Sequence, residues 1–455
     1  MEKLFEEFSP KTLLQWNEQI ISELKGKNYT DLSWESPEKI EILPVYTEES
    51  VYKFNGDTTH QHSDWEIEQS LNKPTNKTVL TSLNSGATAL LLCNIKSSDL
   101  PVVLKDVLIQ HIQTSFKTSD IENTFDSFLA LVEKRGLDKS KIKGSIHNDP
   151  LMHFLKQGRV DENLWNIFNT IQDKAKEFSS FKTLSIQGHE YHNAGANSSQ
   201  ELAFTLAQLS EYFAHNKELK SNAVQISLGV STNYFFEIAK FRAMRILWTQ
   251  IVKAYKKENC ELELRAETGL RTNTLFDSHV NMLRTTSQCM SAALGGANTL
   301  NVTSFNAAYK KDDEFAQRMA RNTSLILKEE AYFNKVSDPS SGSYYIEQLT
   351  NKMSENAWLL FQKIEAQGGW LASIKSNFIQ DMIATNALQQ EQNLNDGNLS
   401  LVGTNLHPNL EEKMASKIEM TIKEDFSEGN DFKILNTKRL SEHMDQERLK
   451  KEQNA

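Results

Sequence analysis

From about residue 78 onward, short apolar runs alternate with longer segments whose apolar residues recur at helical spacing, as Phe315, Met319 and Ile326 do. A strand that alternates with a helix at this interval is the building unit of a parallel sheet. The predicted strands occupy residues 79–83 running into 87–93, 107–112, 143–146, 184–186, 224–228, 261–265, 300–303 and 336–338. About eight strands with helices between them are what a closed (β/α)8 TIM barrel, an α/β fold, requires.

Two of the connecting helices are well specified by the sequence. Asn197 stands before an acidic first turn and predicts the start of one helix, whose apolar face includes Leu202. The other helix is predicted to begin at Asn233, and we expect Phe235 to face inward. Its basic residues are expected on the opposite side; they are Lys240, Arg242 and Arg245.

The chain divides into three predicted regions: an N-terminal extension over residues 1–75, the barrel over 76–390, and a connector with a helical tail over 391–455. The extension has two short apolar helical faces on either side of Pro10, the first with Leu4, Phe5 and Phe8, the second with residues such as Trp16. Because it has no core of its own, this segment must pack on something else. Its own barrel and another chain are both possible supports.

Composition narrows the class of protein. Hydrophobic residues make up 39% of the 455-residue chain, which is enough for a buried core. The formal net charge of −10 argues against nucleic acid as a partner, since a phosphate backbone requires basic patches. No apolar run reaches membrane-spanning length, and the N-terminus is acidic where a signal peptide is basic, so we expect a cytoplasmic protein. Cys93, Cys260 and Cys289 are widely spaced and are expected to be reduced core residues.

Many fixed spacings over about 90 residues then point to a known family. The matching positions are Arg284-Thr285, Gly295-Gly296, Ala320 to Thr323, Lys328 to Glu330, Asp338-Pro339, Gly342 to Tyr344, Glu347, Leu349-Thr350 and Gly368-Gly369. The run from Asn233 to Ala243 also matches and extends the similarity to residues 143–369. In these residues the chain resembles the methylmalonyl-CoA mutase family, and within it the acyl-CoA-binding barrel domain. The resemblance implies a TIM barrel and an adenosylcobalamin-dependent radical isomerisation of methylmalonyl-CoA and succinyl-CoA.

The resemblance also indicates which residues to inspect at the carboxyl ends of the strands, where TIM barrels carry their chemistry. His147 stands where catalytic members have Gln, and Gln157 stands where they have the Arg that pairs with the substrate carboxylate. His189 replaces a Tyr, and Glu190 replaces the His that assists migration of the thioester group. A carboxylate there would repel the charge that develops on the thioester oxygen. We therefore expect no catalytic residue on this chain.

The N-terminal threading motif of the family is altered as well. Asp64-Trp65-Glu66-Ile67 lies where catalytic members have Pro-Trp followed by Arg-Gln-Tyr, and the Pro, Arg and Tyr are missing. In catalytic members this region guides the coenzyme A chain into the barrel. The departure argues against substrate threading here.

A metal site is the competing interpretation of the same residues. His147, His189, Glu190 and His192 are predicted near the ends of adjacent strands, and His and Glu are common metal ligands. However, alternate residues of an extended strand face opposite ways, so His189 would not point with Glu190 and His192. We favour polar residues that fill a vacated barrel mouth, with no metal.

Taken together, these residues predict the non-catalytic small subunit of a heterodimeric methylmalonyl-CoA mutase. Its partner would be the large subunit, which carries adenosylcobalamin and the substrate site. Residues 436–442 resemble the element that ends the barrel region in the family, and no Asp-x-His-x-x-Gly cobalamin motif follows; His407 and His443 lack its context. Two alternatives remain: an active acyl-CoA mutase barrel working with a separate cobalamin-binding chain, and a metal-dependent barrel hydrolase.

Overall fold

The computed structural model describes residues 9, 11–50, 62–258, 260–310, 313–419 and 431–454. Within these ranges, eight parallel strands form the centre of the molecule. They are β1 (Glu66–Asn72), β2 (Ala89–Cys93), β3 (Gln113–Lys117), β4 (Gly144–Ser145), β5 (Leu184–Gln187), β6 (Val224–Val230), β7 (Glu263–Thr268) and β8 (Thr299–Asn301).

The eight strands close into a barrel. Seven of them form one sheet in the order β3-β2-β1-β8-β7-β6-β5, with every pairing parallel. The short strand β4 fills the remaining gap. On one side, Thr114 N donates to Lys143 O at 3.0 Å and His147 N donates to Phe116 O at 2.8 Å. On the other side, Ser185 N donates to Ile146 O at 3.1 Å. The (β/α)8 barrel predicted from the sequence is therefore confirmed.

Three predicted strands are wrong in detail. Residues 79–83 belong to a helix, residues 107–112 form the loop before β3, and residues 336–338 are not a strand. The first barrel strand is instead Glu66–Asn72, which lies inside the segment predicted as the N-terminal extension. Its pattern was hidden because the interior of this barrel is polar: β1 is buried yet rich in polar residues, and Glu68 is buried without being apolar. Apolar periodicity detects strands only where both faces are apolar or one face is solvated.

Fifteen α-helices accompany the strands in the described ranges. They are α1 (Leu13–Glu23), α2 (Asn76–Asn84), α3 (Leu100–Val103), α4 (Ile121–Lys134), α5 (Pro150–Gln157), α6 (Glu162–Lys174), α7 (His189–Ala194), α8 (Ser198–His215), α9 (Tyr234–Ala254), α10 (Val280–Leu294), α11 (Glu314–Glu329), α12 (Tyr344–Ala366), α13 (Gly369–Lys375), α14 (Phe378–Asn395) and α15 (Glu442–Gln453).

Helix α8 starts as the sequence predicts. Asn197 accepts a hydrogen bond from Gln200 N, and the Gln200 side chain bonds back to Asn197 N, which completes a capping box. Helix α12 packs across α8 and α9, so α8 is buried along most of its length. The core between these helices and the barrel includes Leu202, Leu206 and Trp370.

The predicted orientation of helix α9 is wrong. Lys240, Arg242 and Arg245 are all buried, and Phe235, predicted to face inward, is 46% exposed. Lys240 Nζ lies 2.8 Å from Glu201 and 2.7 Å from Glu237, and Arg242 pairs with Asp338 at 2.8 Å. The reason is that α12 covers the side of α9 that a single-layer barrel would leave in water, and carboxylates on neighbouring elements satisfy the charges.

The ends of the described chain lie against the barrel in different ways. Near the N-terminus, Trp34–Glu35 and Glu41–Ile42 form a short antiparallel hairpin, and α1 ahead of it has no buried residue. The predicted apolar face with Leu4, Phe5 and Phe8 lies outside the described residues. In the ranges that the structure describes, no helix has the length and apolar character needed to cross a membrane.

Candidate functional site at the barrel mouth

The middle of the barrel is filled by hydrogen-bonded polar side chains centred on Arg265. This guanidinium is fully buried; its Nε donates to Glu68 at 2.8 Å and its NH1 group donates to Ser227 at 2.9 Å and to Glu267 at 2.8 Å. Burial by itself lowers the pKa of Arg265, but the Glu68 and Glu267 carboxylates outweigh that effect and raise it. Arg265 is therefore a permanent cation that joins β1, β6 and β7 through the interior.

Further contacts complete this layer around the barrel. Asn301 of β8 donates to Glu68 at 2.8 Å and to Ser70 at 2.6 Å. On the opposite wall, Ser145 of β4 donates to Ser115 of β3 at 2.9 Å. Side chains from six of the eight strands thus meet inside the barrel, and the interior is a packed layer of the kind usual in TIM barrels rather than a channel.

The opening at the amino ends of the strands holds a cavity of about 430 Å³. Two of its three lysines are paired: Lys182 lies 3.6 Å from Glu263, and Lys328 lies 2.8 Å from Asp64. Trp65, from the altered threading motif, is only 3% exposed, and its indole N–H donates to Ser324 at 2.8 Å. This tryptophan therefore packs in the core next to α11 and also lines the cavity.

At the carboxyl ends of the strands, His147 follows β4 and is buried. Its Nε2 shares a hydrogen bond with Ser145 Oγ at 2.8 Å. Burial, together with the nearby Arg265 and Lys117 cations, holds its pKa well below the usual value for histidine. His147 is therefore a neutral, hydrogen-bonded residue of the barrel lining.

Glu190 forms the centre of an ionic cluster at the mouth. It is 6% exposed, lies in the first turn of α7 directly after β5, and its Oε1 is 2.5 Å from Lys156 Nζ and 4.0 Å from Lys117 Nζ. Burial raises the pKa of Glu190, but Lys156, His189 and Lys117 outweigh it and hold that pKa below the usual range. The carboxyl group is therefore ionised.

His189 lies between two carboxylates. Its Nε2 is 3.7 Å from Glu190 and 3.9 Å from Glu267. Burial nevertheless lowers the pKa of His189 to about 4, although both carboxylates act to raise it. At neutral pH this cluster contains a neutral imidazole, two lysines and two ionised carboxylates.

Three of the four predicted positions thus come together and one does not. His147, His189 and Glu190 lie at the mouth, whereas Gln157 is the exposed last residue of α5. Its neighbour Lys156 reaches the mouth instead. The sequence reasoning missed Lys156, Lys117 and the Arg265 layer. The interior layer could have been predicted from the charged residues at alternate positions of β7, because Glu263, Arg265 and Glu267 lie on one face of that strand.

Beside the cluster lies a mouth cavity of about 400 Å³, lined by residues of the loops after β2, β3 and β4. Asp149 is the one carboxylate among its lining residues. Its oxygens accept hydrogen bonds from Tyr212 at 2.6 Å and from the Gln208 amide at 2.7 and 2.8 Å, and it caps α5 through Met152 N. Burial raises the pKa of Asp149, an effect opposed by those hydrogen bonds. Asp149 therefore anchors α5 and α8 and is not free to act on a ligand.

A strap formed by residues 431–441 crosses the rim of the mouth. Leu435 N donates to Leu155 O at 3.1 Å, Lys438 N donates to Asn193 O at 3.2 Å, and Leu440 N donates to Arg271 O at 2.7 Å. These bonds tie together α5, α7 and the loop after β7. The strap therefore covers part of the rim at the carboxyl ends of the strands.

The structure also corrects the geometry assumed for the metal alternative. Residues 189–194 form helix α7 and not an extended strand, so their side chains do not alternate between two opposite faces. His192 packs against Gly229 and Gly269, where a Cβ atom would lie 2.6 and 2.5 Å from its ring. In the described part of the chain, no group of three or more His, Cys, Asp or Glu residues is arranged to hold a metal ion.

Comparison with known proteins identifies the family. The methylmalonyl-CoA mutase family model matches residues 93–454. The chain is 32% identical over 452 residues to the methylmalonyl-CoA mutase small subunit of Porphyromonas gingivalis, covering 92% of this chain and 73% of that protein. It is 31% identical over 352 residues to the methylmalonyl-CoA mutase small subunit of Streptomyces virginiae, covering 74% of this chain and 57% of that protein.

Single-chain relatives match as well, over part of their length. The mitochondrial methylmalonyl-CoA mutase of Homo sapiens is 28% identical over 450 residues, covering 86% of this chain and 60% of the human protein. This chain thus spans less than two thirds of the human and Streptomyces relatives. With a polar-filled (β/α)8 barrel and a family model that matches most of its length, the chain belongs to the methylmalonyl-CoA mutase family, a family of cobalamin-dependent isomerases.

Proposed function

We propose that this chain is the non-catalytic small subunit of a heterodimeric methylmalonyl-CoA mutase, and that a large subunit performs the radical interconversion of methylmalonyl-CoA and succinyl-CoA. The observation that carries the proposal is the Lys156–Glu190 ion pair at the barrel mouth. Where the family uses an imidazole to assist the migrating thioester, this chain has an ionised carboxylate bound to a lysine. Two small subunits among the relatives, by their printed names, support the same conclusion.

The chemistry of the mouth favours a non-catalytic role for this chain. A thioester oxygen that gains negative charge is stabilised by a hydrogen-bond donor and destabilised by a nearby carboxylate. At the family's Arg position, Gln157 is exposed on α5, so no guanidinium faces a substrate carboxylate there. The Arg265 layer fills the interior along which an acyl chain would have to extend. Substrate binding and charge stabilisation are both lost at this barrel.

We assign adenosylcobalamin to the large subunit. Among the histidines at the mouth, His147, His189 and His192 are buried, and His153 on α5 is exposed beside the mouth cavity. The resembled family holds its cobalt-ligating histidine in an Asp-x-His-x-x-Gly motif, and no histidine of this sequence stands in that motif. In the proposed function this chain therefore takes no part in the radical step.

Contact with a partner also explains helix α1. This capped helix of 11 residues has no buried residue, and Leu14, Trp16 and Ile21 are 68%, 49% and 53% exposed. An isolated helix of this length is marginal in water, so its apolar face requires another surface. We expect an obligate, fairly apolar contact that buries more than about 2,000 Å² in total.

Mutase activity with adenosylcobalamin and succinyl-CoA tests the proposal. We expect no turnover by this chain alone, and full turnover by a one-to-one complex with the large subunit from the same organism. In that complex, Glu190→Gln on this chain should leave kcat and KM within about twofold of the unsubstituted complex, because Glu190 touches no substrate.

Turnover by this chain alone, or with only an isolated cobalamin-binding chain, would contradict the proposal. It would favour the active acyl-CoA mutase alternative. A stoichiometric metal in the purified protein, with hydrolase activity that depends on it, would favour the barrel hydrolase. A stable but inactive complex in which Glu190→Gln restores activity would also count against the proposed role.

A further inference from the structure

A buried cluster of charged side chains lies where the N-terminal hairpin meets α8 and α9. We define this carboxylate cluster as Glu38 from the turn of the hairpin, Glu201 of α8, and Glu237 and Lys240 of α9. All four side chains are buried. Lys240 Nζ lies 2.8 Å from Glu201 and 2.7 Å from Glu237, and in the described ranges it is the one cation at ion-pair distance from the three carboxylates. Three acids therefore share a single base.

Glu38 is the residue through which the hairpin enters this cluster. Its Oε1 accepts a hydrogen bond from Ser198 N at 3.2 Å, at the amino end of α8, and its backbone oxygen accepts one from the Asn356 amide at 2.9 Å. Within the described residues, its buried Oε2 has no hydrogen-bond partner. Burial raises the pKa of Glu38, and the Glu237 carboxylate adds to this effect. The adjacent Lys39 does not compensate the charge, because its side chain is 79% exposed.

The elements packed around the cluster do not balance its charge. His192 of α7 faces Lys240 and is neutral, because burial together with the Lys240 and Arg271 cations holds its pKa well below the usual value. The other two basic residues of α9 point elsewhere: Arg242 pairs with a carboxylate after β8, and Arg245 donates to backbone oxygens. The acids of the cluster must therefore be balanced within the cluster itself.

The arrangement of donors indicates where a proton resides. Two ionised carboxylates on one lysine would leave a negative charge in the interior, and burial raises the pKa of Glu201 to about 7, with Lys240 opposing and Glu237 adding to the effect. Because Glu201 and Glu237 share Lys240, they titrate as a pair. Both oxygens of Glu201 accept from nitrogen donors, Gly229 N at 2.7 Å and Lys240 Nζ at 2.8 Å. Glu237 Oε1 instead lies 2.6 Å from Ser231 Oγ, and a hydroxyl oxygen can accept from a protonated carboxyl group.

We propose that the carboxylate cluster makes the attachment of the N-terminal hairpin to the barrel dependent on a proton bound at Glu237. With that proton in place, Glu201 and Lys240 form a neutral pair, and Glu38 docks as an anion at the amino end of α8. Loss of the proton places a second negative charge beside Glu38 and weakens this contact.

The direction of the pH dependence follows from the raised pKa of the buried pair. The folded chain keeps the proton at pH values where an unfolded glutamate, with its ordinary pKa of 4.5, has released it. The stability that the bound proton contributes is therefore lost as the pH rises from 4.5 to about 7. The buried Ile40 and Ile42 still hold the hairpin on the core, so we expect it to loosen and not to leave. This inference concerns the chain alone and does not depend on its proposed function.

Hydrogen exchange of residues 34–42 in the full-length chain, corrected for the intrinsic effect of pH on exchange, tests the proposal. From about pH 6 to about pH 8.5, protection of the hairpin relative to β1 should fall severalfold, and by no more than about tenfold per pH unit, the limit for one proton. Glu237→Gln, whose amide imitates the protonated carboxyl group, should keep the hairpin protected throughout. The matched control is Glu41→Gln, the same change at an exposed position of the same hairpin, which should retain the pH dependence of the unsubstituted chain.

Infrared spectroscopy of the unsubstituted chain gives a second readout, which stands even if a variant does not fold. The C=O band of protonated carboxyl groups should lose intensity over the same pH range in which hairpin protection falls. Hairpin protection that does not change with pH, or that falls equally in Glu237→Gln, would overturn the proposal. If Glu201→Gln and not Glu237→Gln removed the dependence, the assignment of the proton to Glu237 would be wrong.

Discussion

Substituting Lys156 with methionine would leave the ionised Glu190 carboxylate without its nearest cation. The two groups are 2.5 Å apart, the Glu190 side chain is 8% exposed, and the remaining ammonium of Lys117 is 4.0 Å away. Removing one partner of a buried ion pair costs about 3–5 kcal/mol. Because the Lys156 side chain is 38% exposed, solvent screening reduces this, and we expect a loss of about 2 kcal/mol in the free energy of unfolding.

The pH dependence of this loss follows from Glu190. Its pKa in the folded chain is held below the ordinary value of 4.5, so the ion pair contributes stability at pH values above 4.5. That contribution is lost as the pH falls through the lowered pKa of the folded state. The difference between the unsubstituted chain and Lys156→Met should therefore be largest near pH 7 and should shrink as the pH falls below about 4.5.

Equilibrium urea unfolding at pH 7 and at pH 4 provides the measurement. Adding Glu190→Gln to Lys156→Met should recover part of the loss, since the unpaired charge is then gone. The control is Lys176→Met, which removes an exposed pair with Asp173 and should change the free energy by less than about 0.5 kcal/mol. A loss no larger than that of the control, or one that grows as the pH falls, would refute the reasoning.

Two further predictions concern the interior of the barrel. Arg265→Met should lower the free energy of unfolding by about 3–5 kcal/mol, because Glu68 is left buried without its cation. Addition of Glu68→Gln and Glu267→Gln should restore much of this loss. Urea unfolding of the unsubstituted chain, Arg265→Met, the Glu68→Gln/Glu267→Gln variant and the triple variant measures the effect, and losses that simply add would contradict the prediction. Gly229→Ala should cost about 1–3 kcal/mol, since its Cβ would lie 2.6 Å from the His192 ring and 2.7 Å from the His192 Cβ. In a His192→Gly background, which removes both contacts, Gly229→Ala should cost much less; thermal unfolding of the four proteins checks this, and an unchanged cost would show that the clash is not the cause.

Short-range sequence patterns predicted most of the strands and helices of the barrel. The predicted strands at 184–186 and 224–228 and the cap at Asn197 are present because short-range pattern and capping chemistry act within a few residues. Strand Glu66–Asn72 was missed because its inward side chains are polar, and a polar strand has no apolar alternation to detect. The orientation of α9 was wrong for a related reason: a second layer of helix covers its charged side.

Part of the candidate site could likewise be predicted from the sequence, and part could not. Comparison of motifs identified His147, His189 and Glu190 as altered positions, because each lies at a fixed distance from residues that the family shares. Nothing local indicated that Gln157 would turn outward and that Lys156 would take its place at Glu190. Which of two adjacent helical residues faces the mouth depends on how α5 docks, and that is decided by Asp149 with its partners on α8.

By itself, the sequence determined the alternation of strands and helices, the family and the substitutions at its catalytic positions, all of which depend on residue type and spacing. Only the tertiary structure decided that Lys117, Lys156, His189, Glu190 and Glu267 meet at one mouth and that Arg265 fills the barrel beneath them. These groups come from the ends of three strands, β3, β5 and β7, and from helix α5, and their charges are defined by burial and by each other. Such contacts exist only once the barrel has closed, because closure brings together residues that are far apart along the chain.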